Sequence, residues 1–262
     1  LEKVREKGCE ISKPLQKSID FQNNFVIRFN TLKPMFSVAP AGRPMELRVH
    51  PKRCKQRCMN KIRLRMMLYA ESDIDFHFST ADWAVCRYDR HRYFKGWSGR
   101  GLKGVDFIAV WRQDKLIFME VKNYNPRPNG KGGQTADAVR ADPAILSDAF
   151  GEKIADTLTA IDAVRQYRQR RWWRRLAAWW FRRRKVGSSE TAFWVRVCDL
   201  ALSPQNCMAV LWLEGEELDA SFRKTIEKRL AYELSALTAQ VVVCNADSNP
   251  FREDGLTAKI AE

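Results

Sequence analysis

Three apolar runs of strand length arrive within about forty residues. They are Trp83–Tyr88 (WAVCRY), Val105–Trp111 (VDFIAVW) and Leu116–Val121 (LIFMEV). Arg112–Lys115, between the last two, has the polar character of a hairpin turn, so those two strands are expected to run antiparallel. Asn123–Gly133 is rich in Asn, Pro and Gly and reads as a loop. After it, Ala144–Tyr167 places Ile154, Leu158, Ile161 and Val164 on one side, the pattern of an amphipathic helix. Phe193–Leu202 and Cys207–Leu213 read as further strands. Glu217–Leu237 reads as a helix with Leu218, Phe222, Ile226, Leu230 and Leu234 at four-residue steps, and Gln240–Cys244 as a last strand. This alternation predicts a mixed α/β domain over about residues 69–262. At 262 residues the chain is long enough for one sizeable core.

The third run closes on Glu120-Val121-Lys122. Side chains alternate along a strand, so Glu120 and Lys122 face one way and Val121 the other. An acid and an amine are therefore presented side by side. Asp106, at the start of the antiparallel neighbour, is expected at the same end of the sheet. Two carboxylates and a lysine so placed can hold a hard divalent cation and keep a cationic group beside it. Acid-x-Lys triplets also arise by chance, and the alternative is an ordinary solvent-facing pair at a strand end. Context sets this one apart: it ends an apolar strand, it follows Gly104-Val105-Asp106 across one hairpin, and a helix comes after it. No GxxxxGK[ST] phosphate loop, HExxH zinc signature or Gly-x-Ser-x-Gly elbow competes with it.

Gly-Val-Asp at 104–106, the turn, and Glu-Val-Lys at 120–122 resemble the core of the PD-(D/E)xK nuclease superfamily, with Val105 in place of the proline of the signature. The resemblance covers about residues 70–168. It implies a restriction-endonuclease-like mixed sheet flanked by helices. It also implies magnesium, or manganese, held by Asp106, Glu120 and the backbone carbonyl of Val121, and Lys122 as the catalytic lysine. Members often add a Glu from a helix before the first core strand, for which Glu71 and Asp89 are the candidates. They often add a polar or basic residue from the following helix, for which Lys153 is the candidate; the alternative is a solvated Lys153 paired with Asp156 or Thr157. Metal-dependent cleavage of nucleic acid is the implied activity, with DNA ahead of RNA, and many enzymes of this fold act as homodimers.

Charge is unevenly distributed. The formal net charge is +15. Residues 1–68 carry 16 basic and 5 acidic side chains, and Arg165–Lys185 carries ten basic and none acidic, so the remaining residues are net acidic. Two cationic segments on an acidic body fit contact with a polyanion. Residues 1–68 are expected to form a basic extension, partly disordered. Arg165–Lys185 (RQYRQRRWWRRLAAWWFRRRK) is expected to continue the preceding helix, with Trp172, Trp173, Leu176, Ala177, Trp179 and Trp180 forming an apolar face beside an arginine face. Three readings are open for it. Arg171, Arg174 and Arg175 can grip phosphates while Trp172 and Trp173 stack on bases; the helix can lie on an anionic membrane surface; or the tryptophans can pack on the domain or on a second subunit.

The seven cysteines are scattered and odd in number, and they read as free thiols. His50, Cys54 and Cys58 recur at four-residue steps but lack the paired spacing of a zinc site. No apolar run approaches the roughly 20 residues of a membrane-spanning helix, and Leu1–Ser12 lacks the core of a secretory signal. The expected location is cytoplasmic.

Overall fold

The computed structural model describes residues 66–98, 101–125, 142–216 and 218–260. The extension up to residue 65, with His50, Cys54 and Cys58, and most of the loop from residue 123 lie outside the described residues. The chain is a mixed α/β protein built on two sheets. A three-stranded antiparallel sheet, in the order β1-β2-β8, joins β1 (Met66–Glu71), β2 (Ile74–Ser79) and β8 (Leu256–Ile260). A five-stranded sheet runs β3-β4-β5-β6-β7, from β3 (Trp83–Arg87), β4 (Phe107–Trp111), β5 (Lys115–Asn123), β6 (Cys207–Glu214) and β7 (Gln240–Cys244). Its first three strands form an antiparallel meander, and β5, β6 and β7 are mutually parallel. The parallel step from β5 to β6 needs a long crossover. It contains α2 (Pro143–Gln169), α3 (Trp172–Arg182) and α4 (Glu190–Leu200); α1 (Arg92–Ser98) precedes β4, and α5 (Ala220–Glu233) joins β6 to β7.

Strand alternation sorts the residues of the large sheet onto two cores. Ile108, Val110, Leu116, Phe118, Leu211 and Leu213 pack with Phe150, Ile154, Ile161, Trp194 and Val197 of the helices. Phe107, Ala109, Ile117, Met119, Val121, Val210 and Trp212 pack instead against Ile74, Phe76, Phe78 and Leu256 of the small sheet. The large sheet is thus covered by helices on one face and by a second sheet on the other. A strand buried on both faces reads as a near-continuous apolar run, and β6 (CMAVLWLE) is buried along its length, its closing Glu214 accepting from Trp212 Nε1 (2.8 Å) and the Ala246 N–H (2.7 Å). A one-residue slip of β5 would exchange Glu120 for Val121 between the layers, so burial of both faces fixes where the acid points.

Several expectations change. Phe193–Leu202 is not a strand, since Glu190–Leu200 is helical. A short apolar run fits a buried strand or a helix buried on most sides equally well, and here Ser189 Oγ accepts from the Ala192 N–H (3.1 Å) and starts the helix. Arg165–Lys185 is not one helix. It breaks at Arg171, whose extended backbone (φ −119°, ψ 133°) separates α2 from α3. The boundary expected after residue 68 would cut β1, which begins at Met66. Cys86, Cys198, Cys207 and Cys244 are free, and burial pushes each thiol up to about 12. Among the described residues no helix is long and apolar enough to cross a membrane.

Candidate functional site

The β4–β5 register pairs Phe107 with Met119, and extending it by one residue sets Asp106 opposite Glu120. Asp106 Oδ2 accepts the backbone N–H of Val121 (2.8 Å), which holds that carboxylate against the end of β5. Glu120 shares the strand face of Leu116 and Phe118, towards the helices, and is only 1% exposed. A carboxylate in so apolar a setting needs compensation. Two ammonium groups converge on its Oε1, Lys153 Nζ at 2.6 Å and Lys122 Nζ at 2.9 Å. Its Oε2 is equally buried and has no hydrogen-bond partner among the described residues.

The electrostatics follow from this crowding. Burial raises the Asp106 carboxyl from 3.8 to about 7, and the Glu120 and Glu71 charges push the same way against the Val121 N–H and Lys153. Burial alone would lower Lys122, but the charge and hydrogen bond of Glu120, with Asp106, more than offset it and hold the ammonium above its ordinary range. Tyr124, which sequence reasoning did not single out, lies two residues beyond Lys122. Burial raises its phenol, and its hydroxyl has no hydrogen-bond partner among the described residues.

Lys153 does not point into solvent. It sits on α2 one residue before Ile154, and from there reaches Glu120 directly. The same stretch of α2 pins the chain entering β4: Thr157 Oγ1 accepts from the Val105 N–H (3.2 Å), Asp156 Oδ2 from the Lys103 N–H (2.8 Å), and Glu152 pairs with Lys103 Nζ (2.7 Å). Gly104, between those anchors, has no room for a side chain, since a Cβ there would lie 2.7 Å from the Phe94 ring and 3.1 Å from Tyr88. Gly104→Ala is therefore expected to lower stability by about 1–3 kcal/mol through overpacking, read as a lower urea midpoint at unchanged slope. An unchanged midpoint would mean that Phe94 swings away at no cost.

The two upstream acids separate. Glu71 ends a strand of the small sheet, not a helix, and its charge acts on Asp106. It also pairs with the Arg87 guanidinium, which accepts no proton back and binds Asp89 as well, Nε to Oδ1 at 3.2 Å. Glu71 thus belongs to the electrostatic surroundings of the site, whereas Asp89 is turned to Arg87 and Arg90. Arg87 was legible only as a strand residue, and no spacing rule pointed to its role.

The residues expected to grip nucleic acid lie on or beside α3. Arg174 is engaged within the chain: its guanidinium lies 4.1 Å from the Tyr167 ring centroid and 5.0 Å from that of Trp173, and donates to the Tyr167 carbonyl (3.1 Å) and hydroxyl (3.0 Å). Arg171, Arg175, Trp172 and Trp173 are exposed.

Among the described residues no group of three or more His, Cys, Asp and Glu side chains is placed to hold a metal ion. Magnesium does not require one, because it keeps several waters and is commonly bound through one or two carboxylates together with substrate phosphate. The buried, unpartnered Oε2 of Glu120, on the strand whose register sets it opposite Asp106, fits that mode. No family model matches this chain, and neither the curated proteins nor the solved structures contain a match to it.

Proposed function

We propose that this protein is a metal-dependent nuclease of the restriction-endonuclease-like fold, hydrolysing phosphodiester bonds of nucleic acid, with DNA ahead of RNA. The observation that carries the reading is Glu120: a carboxylate buried to 1% exposure, tied through one oxygen to two lysines, with its other oxygen unpartnered among the described residues, on a strand whose register sets it opposite Asp106. A buried acid with a spare oxygen is costly as structure alone. It makes sense where a cation is to be received. The order of elements supports the same reading: an antiparallel meander, then a helical crossover to a strand parallel with the third, the acid preceding the second strand and acid-x-Lys ending the third.

Asp106, Glu120 and the Val121 carbonyl would hold magnesium or manganese, which would supply neutralisation of the phosphate oxygens and lower the pKa of a bound water. Lys122, more exposed than Lys153, presents its ammonium where negative charge builds on the phosphate and can orient the attacking water. Lys153 acts through Glu120, fixing the carboxylate's rotamer and leaving Oε2 available. It is a positioning residue. Thr157 and Gly104 set the path of the chain into Asp106.

The test is cleavage of plasmid, linear duplex, single-stranded DNA and RNA with magnesium, manganese or chelator. Cutting should vanish in chelator and fall by about 100-fold or more in Lys122→Ala, in line with the loss of one charge-stabilising group. Salt-sensitive binding without cutting under either metal would replace the enzyme with a binding module of the same fold.

A further inference from the structure

α3 is amphipathic in the wrong sense for a helix that packs on its own domain. Arg174, Ala177, Ala178 and Phe181 are its half-buried side, turned to α2 and α4. Trp172, Trp173, Leu176, Trp179 and Trp180 face solvent, Trp172 at 72% exposure and the others between 49% and 57%. No α3 residue is buried. The helix is held down by polar anchors, chiefly Arg182 clasping Asp199 of α4 through two hydrogen bonds of 2.7 Å. Around the aromatic side stand Arg170, Arg171, Arg175, Arg183, Arg184 and Lys185, exposed and without an ion pair among the described residues. Arg183 lies over Trp179 (4.1 Å) and Arg184 over Trp180 (5.5 Å).

We infer that α3 is a membrane-surface helix that rests on an anionic phospholipid bilayer. Such a surface answers both halves of the face at once. Indoles settle at the headgroup–acyl boundary with Leu176 beneath them, and arginines extend to lipid phosphates. Duplex nucleic acid offers phosphates but no apolar slab to cover four outward indoles. A second copy of this chain, docked through the same face, would set one arginine ring against another. The lipid is therefore the occupant that charge complementarity selects. It adds to the phosphodiester site and does not depend on it.

The experiment is cosedimentation of the full chain with vesicles of phosphatidylcholine containing about 30% phosphatidylserine, beside pure phosphatidylcholine vesicles and an oligothymidylate. A variant carrying Trp172→Ser, Trp173→Ser, Trp179→Ser and Trp180→Ser is compared, its fold checked by circular dichroism melting. The expected result is binding to anionic vesicles, weaker by about tenfold or more on neutral vesicles and in the tryptophan variant, with indole fluorescence quenched by interfacially brominated lipid only in the unmutated protein. Failure to sediment would overturn the inference. So would undiminished binding by the tryptophan variant, which would assign lipid affinity to another basic segment. Quenching of the indoles by oligothymidylate without vesicle binding would turn α3 into a base-stacking platform instead.

Discussion

Asp106→Asn is expected to yield a metal-free protein that is more stable than the original and has lost cleavage by about a thousandfold or more, the scale of removing a group that stabilises the transition state. Asn keeps an acceptor for the Val121 N–H while removing a charge that burial, Glu120 and Glu71 oppose. The sign follows from linkage. The folded-state carboxyl sits at about 7, above its ordinary 3.8. Between those values the native state holds a proton that the unfolded chain has released, so stability falls as pH rises from about 4 to 7 and then levels. The advantage of Asn should be absent near pH 4, grow through that window and reach a plateau above pH 7. At about 1.4 kcal/mol per pH unit its upper limit is roughly 4 kcal/mol. Urea melts of both proteins in chelator from pH 4 to 9 measure it. A pH-independent difference would show that Asp106 is already charged throughout.

Glu120→Ala should be the most damaging single change at the site. It leaves the Lys153 and Lys122 ammonium groups converging on an apolar wall without the carboxylate that both of them contact. Removing one partner of a buried ion pair costs about 3–5 kcal/mol. Both lysines retain some solvent, which brings the expected loss to about 3 kcal/mol, together with complete loss of cleavage. Glu120→Gln keeps the side-chain shape and one acceptor, so it should recover much of the stability and none of the activity. If Ala and Gln proved equally stable, the lysines would be finding water and the carboxylate would not be organising them.

Strand alternation made the centre of the site legible. Leu116 to Lys122 reads as inward, outward, inward, and that alone sets Glu120 and Lys122 on the side opposite Val121. β6 and β7 were legible as apolar runs, and α5 from its four-residue steps. The small sheet was not anticipated, although Ile74, Phe76 and Phe78 alternating with Asp75, His77 and Ser79 carry the signal of a half-buried strand. β1 and β8 are short and largely unburied, so little in them distinguishes strand from loop. α4 is not told from a strand by its sequence because its apolar residues nearly encircle the helix. Lys153 was even between site and solvent, since helical spacing says which side of α2 it shares but not which acid that side meets. The outward turn of the tryptophans was equally hidden: periodicity defines a face but not the direction in which it looks.

Fewer than two turns of α2, from Glu152 to Thr157, fix Lys103, Val105 and Glu120 together. A ribosome-bound chain that has emerged only as far as Lys122 contains the hairpin that sets Asp106 opposite Glu120, yet lacks Lys153 and the stretch of α2 that ties Glu120 to the chain entering β4. If the chain is the phosphodiesterase proposed, its hazard to the cell's own genome begins only when that helix docks. The order of synthesis then serves as a safety catch, released by completion of the fold.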